Sequence, residues 1–112
     1  MKAQEKEEKD LIKFRFAVAL NKALKDSELN SFRRLAKEAG MEPSHVQKIS
    51  TGKLDISFTK CIALAEALKI SPSSFFNYYD SVTSKDIKEY QDLLLSQKTL
   101  KGKKKKVVKK KK

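Results

Sequence analysis

The chain holds one cysteine, Cys61, and one histidine, His45. A lone cysteine closes no internal disulfide, and one Cys with one His fall short of the four ligands a structural zinc needs. No apolar run approaches the roughly 18 residues of a membrane span. The N-terminus, MKAQEKEEKD, is charged and unlike a signal peptide, so the expected location is cytoplasmic. Paired catalytic carboxylates, a glycine-rich phosphate loop and a nucleophile elbow are all missing. No enzyme activity and no cofactor are therefore expected. Internal repeats are missing too.

What is present is charge. Charged residues make up 36% of the chain and hydrophobic ones 39%, enough for one small core in 112 residues. The net charge is +12, but nine lysines and no acid lie in residues 101–112. Without those nine the first hundred residues carry only +3. The basicity belongs mainly to the tail, and a nucleic-acid reading must rest on more than pI. Cys61 falls on an apolar helical face and reads as a small core residue.

The most organised stretch is Phe32 to Thr51, FRRLAKEAGMEPSHVQKIST. Leu35, Ala36 and Ala39 share one face of a first short helix at spacings of three and four. Gly40 follows where that helix should stop, since glycine adopts a left-handed backbone without steric cost. Met41 turns back inward, and Pro43 suits the first turn of a second helix. Val46 and Ile49 form its buried side, leaving Pro43, Ser44, Gln47, Lys48 and Thr51 on the other. Gly52 closes it. Ala36 is small where the two helices must cross steeply.

The remaining text reads as helices around this pair. Residues 1–10 form a polar extension. Between Leu11 and Leu24, Ile12, Phe14, Phe16, Val18 and Leu20 alternate as in a strand. Helix is still preferred, because Ala17 and Ala19 are not polar and Ala23-Leu24 continues a helical pattern. Ser31 is a natural N-cap for the helix from Phe32. Ser57 caps a fourth helix over Phe58 to Lys69, with Cys61, Ile62, Leu64, Ala65 and Leu68 inward. Ser71-Pro72 opens a fifth, anchored by Phe75, Phe76 and Tyr79. Thr83 and Asp86 resemble a capping box for a sixth helix ending near Lys98, with Ile87, Tyr90, Leu93 and Leu94 on its apolar stripe. The lysine run 101–112 repels itself and is expected to be disordered.

Residues Leu20 to Phe76 resemble the phage-repressor and Cro-like (XRE-type) helix-turn-helix family. The likeness rests on Leu35-Ala36, Ala39-Gly40-Met41, Pro43-Ser44, Val46, Ile49 and Gly52-Lys53. It implies an all-α fold: a five-helix lambda-repressor-like DNA-binding domain over residues 11–80, its helix-turn-helix at 32–51. The helix at 83–98 and the tail at 101–112 are additions to it. Three positions depart from the family: Phe32 replaces a usual glutamine, Glu42 a usual serine or threonine, and Lys69 a usual glycine.

The partner implied is double-stranded DNA. An exposed Ser44 and Lys48, one turn apart, suit the major groove, where lysine donates to guanine O6 and N7. The resemblance assigns base contacts to Pro43, Ser44, Gln47 and Lys48. Phosphate contacts fall to Arg33, Arg34, His45, Thr51 and Lys53. The expected role is a transcriptional regulator, a repressor at the nucleoid, acting as a homodimer; the stripe of Ile87, Tyr90, Leu93 and Leu94 either packs back on the first helix or forms the homodimer surface. No ligand-sensing domain is evident. The rival reading is a protein-binding module, antitoxin-like or an adaptor, using helix 84–98. Phe32 and Glu42 favour it.

Overall fold

A computed structural model of the chain describes the backbone of residues 3–111 and the side chains of residues 7–97. Among these there are six α-helices and no strand. They are α1 (Ala3–Asp26), α2 (Phe32–Ala39), α3 (Pro43–Ser50), α4 (Phe58–Ala67), α5 (Pro72–Ser81) and α6 (Ser84–Lys111). The chain divides into two compact units, Met1–Val82 and Thr83–Lys112.

In the first unit α1 packs on α3 and α5, and α2 packs on α3 and α4. The core joins Leu20 of α1, Leu35 and Ala36 of α2, Val46 and Ile49 of α3, Leu64 of α4 and Phe75 of α5. Phe16 meets Phe75 edge to face, ring centroids 5.4 Å apart, the arrangement their ring quadrupoles favour. The strand-like alternation of α1 has a simple cause. Residues Phe16 to Leu20 are all buried, so this turn presents no polar face for a helical period to reveal.

Arg15 ties α1 to the far end of α5. Its guanidinium donates to the carbonyls of Tyr79 and Asp80 at 2.9 and 3.1 Å and lies 5.0 Å from the Tyr79 ring centroid. The last carbonyls of a helix lack intrahelical partners, and a cation there answers both their hydrogen bonds and the helix dipole. The end of α1 is tied to α5 as well: Tyr78 Oη donates to Asp26 Oδ2 at 2.7 Å. That bond, more than burial, raises the tyrosine pKa above its ordinary value. Burial, aided by the nearby Asp55 charge, pushes the Cys61 thiol up, so it stays protonated in the wall of the core.

Several ends differ from the sequence reading. α4 stops at Ala67, short of Lys69, and its Leu68 and Lys69 form the cap. Lys69 takes a left-handed φ of 63°. Ile70 N donates to Ala65 O and Lys69 N to Glu66 O, the paired bonds of a regular Schellman cap. The lysine thus performs the turn of the glycine it replaces. Phe75 is buried, but Phe76 is 39% exposed rather than an anchor. Neighbours on a helix point about 100° apart, so committing Phe75 to the core turns Phe76 off it. Ile62 is half-buried.

In the second unit α6 begins at the expected capping box. Asp86 N donates to Thr83 Oγ1 at 3.1 Å and Thr83 N to Asp86 Oδ2 at 3.0 Å. Its backbone runs past Lys98, the end expected from the sequence, to Lys111. Lysine's unbranched side chain is a fair helix former and no proline intervenes. The sequence reading expected residues 101–112 to be disordered, whereas the backbone is helical to Lys111; the side chains of that stretch lie outside the described ones. On α6 Leu93 and Leu95 are exposed, Ile87 and Leu94 half-buried, and Tyr90 buried.

Candidate nucleic-acid interface

The turn at the centre of the candidate site is made by backbone hydrogen bonds. Ser31 caps α2, its Oγ accepting from Arg34 N at 3.1 Å. At the other end Gly40 adopts φ 68°, ψ 35°. Met41 N then donates to Ala36 O at 2.8 Å and Gly40 N to Lys37 O at 3.2 Å. This Schellman pair satisfies carbonyls that would otherwise be orphaned and reverses the chain within two residues. Leu35 and Ala36 lie fully buried beneath α3, which is why alanine's small volume is needed at the crossing.

Glu42 occupies the N-cap of α3 without a side-chain cap bond, and Pro43 takes its first turn. The Glu42 carbonyl starts the helix, accepting from His45 N and Val46 N at 3.0 and 3.1 Å. Val46 and Ile49 are buried to within 1%. That fixes the rotation of α3 about its axis, and Pro43, Ser44, Gln47 and Lys48 emerge exposed together. The four residues expected to face bases therefore share one solvent face. α3 ends in a second Schellman turn: Lys53 N donates to Lys48 O at 3.0 Å and Gly52 N to Ile49 O at 3.1 Å, with Gly52 at φ 76°.

The residues expected to meet phosphate behave differently from one another. Arg33, Arg34 and Lys53 are exposed. Thr51 is half-buried, and its hydroxyl donates back to the Lys48 and Gln47 carbonyls at 3.1 and 3.3 Å. Its proton is already engaged in closing α3. His45 is half-buried, and its Nε2 lies 3.2 Å from Lys60 Nζ. An ammonium has only protons to offer, so Nε2 is the acceptor in this contact. Lys60 is the residue the sequence reading missed. It sits fifteen positions from His45, and no local spacing signals a meeting that α4 arranges. Phe32, in the place of glutamine, is partly buried against the core and serves packing.

This arrangement defines a class: two short helices locked by a glycine turn, the second anchored inward and polar outward, on a helical scaffold. The family model described as helix-turn-helix matches residues 18–75, over half the chain. The protein belongs to that XRE-type helix-turn-helix family and is a DNA-binding regulator of its kind. No curated protein matches the chain. Among the described residues no helix is long and apolar enough to cross a membrane.

Proposed function

We propose that the protein is a sequence-specific transcriptional repressor that reads the major groove with α3. One observation carries the reading: Val46 and Ile49 are sealed in the core while Pro43, Ser44, Gln47 and Lys48 stand free on the opposite side. Lys48 donates to guanine and Ser44 and Gln47 meet neighbouring bases. Arg33, Arg34 and Lys53 meet phosphates. Lys60 joins them through its contact with His45, which holds both side chains beside the start of α3. Two copies, with reading helices about 34 Å apart, address a near-palindromic site at the nucleoid. The apolar residues of α6, above all the exposed Leu93, are the dimer contact. The nine lysines of 101–112 hold any duplex by releasing counterions.

Enrichment of bound sequences from a random duplex pool tests this directly. A single recovered motif is expected. Lys48→Ala should weaken binding to it by about 1–3 kcal/mol and relax one base position. Removing residues 101–112 should weaken all duplexes alike and flatten the dependence on salt. Unchanged site preference in Lys48→Ala would refute the assignment of the reading face.

A second reading, an adaptor that docks on a protein through α6, is favoured by the exposure of Leu93 and Leu95. A chemical-shift titration with duplex DNA separates the two. Movement at Arg33, Ser44 and Lys48 supports DNA reading, and movement confined to the tail supports the adaptor.

A further inference from the structure

We infer that the first unit carries a small-molecule site, an apolar pocket that takes a compact aromatic amine, and that its occupant tunes DNA binding through the loop after α3. The tuning rests on the DNA-reading role proposed above; the site itself does not.

The pocket measures about 210 Å³, more than the roughly 150 Å³ of an apolar cavity that admits benzene. Its walls are Ile12 and Phe16 of α1, Leu54 and Ile56 of the α3–α4 loop, and Phe76 and Tyr79 of α5. Three of these six are aromatic, so a flat ring finds edge-to-face partners on two sides. Ile12 is 56% and Phe76 39% exposed. Two large apolar side chains held in water at one opening are the kind of surface that marks a binding site.

Charge decides what sort of ring. The pocket is bordered by one cation and one anion, Lys13 and Asp55. Lys13 is already paired with Asp10 at 3.6 Å. Asp55 Oδ1 accepts a single backbone bond, from Ile56 N at 2.9 Å, and a carboxylate has lone pairs left for more. Asp55 lines the same pocket as Cys61, Leu54 and Ile56. An occupant with a ring in the apolar space and an ammonium on a short arm satisfies both features. A carboxylate on the same arm would face Asp55.

The pocket is wired to the reading helix. Leu54, Asp55 and Ile56 follow Lys53 directly, and Lys53 N is bonded to the Lys48 carbonyl of α3. An occupant that holds Asp55 therefore restrains Lys53 and the last turn of α3. By linkage, DNA must alter the occupant's affinity by the same factor as the occupant alters DNA's.

The test uses the full chain and three matched molecules: phenethylamine, ethylbenzene and 3-phenylpropionate. Titration followed by backbone and methyl NMR should move Ile12, Leu54 and Ile56 with phenethylamine, which should bind about two- to fivefold more tightly than the other two, as one exposed ion pair allows. Asp55→Asn should erase that preference and keep ring binding. Ile12→Trp, at an exposed position that leaves the fold intact by circular dichroism, should block all three. Absent shifts at these residues, or equal binding of the acid, would overturn the site. On a selected duplex, saturating phenethylamine should shift DNA affinity at least twofold, and no shift would overturn the tuning. Amine binding by a chain that binds no duplex would instead sink the DNA-reading role and leave the pocket standing.

Discussion

Gly52 offers the sharpest physical test, because its two requirements can be separated against Gly40. Both glycines hold left-handed backbone, at φ 76° and 68°. A Cβ built on Gly40 meets nothing within 4 Å, whereas on Gly52 it lies 2.9 Å from Phe14 Cδ1 and 3.0 Å from Phe14 Cα. Gly40→Ala should therefore cost only the left-handed penalty, about 1–2 kcal/mol. Gly52→Ala adds a clash with helix backbone that no side-chain rotation relieves, a further ~1–3 kcal/mol on the scale of overpacked cores. Urea denaturation of the two variants should separate their midpoints. In a heat scan Gly52→Ala should melt several degrees below Gly40→Ala, at about 4–8 °C per kcal/mol. Equal destabilisation would refute the close approach of α1 to the turn after α3.

The other predictions concern helix ends and one titration. Lys69→Gly should stabilise the protein by roughly 0.5–1 kcal/mol in the same denaturation assay, because the left-handed cap geometry strains lysine and not glycine. The raised Tyr78 pKa means that the folded state prefers the protonated phenol. Stability from this bond is whole below the ordinary value of 10.0 and should fall as pH rises through the folded value above it. Tyr78→Phe should lose about 1 kcal/mol at neutral pH and show less of that alkaline decline in pH-dependent melting.

Much of the candidate site was legible locally. Ser31, Gly40, Pro43 and Gly52 announce helix ends by backbone chemistry that acts within a few residues. The three-residue spacing of Val46 and Ile49 likewise settles which side of α3 faces in. Reading failed where one position's neighbour comes from far along the chain. Phe75 and Phe76 are chemically identical, and only the placement of α1 decides which of them meets Phe16. Lys60 reaches His45 because α4 packs on α2, the helix that α3 also packs on, which no periodicity records. Nor does the sequence distinguish Gly52 from Gly40, although Phe14 crowds only the first.

The sequence by itself determined where α2, α3 and α5 start, the turn that ends α2, and which residues of α3 are apolar, because caps, left-handed turns and helical period are short-range. It also determined the uneven charge, lysines at one end and near balance elsewhere. Tertiary structure alone decided that Arg15 closes α5, that Lys60 meets His45, and that six apolar side chains from α1, α5 and one loop line a pocket. Those outcomes depend on where separate helices dock, and docking is set by the summed fit of the whole core.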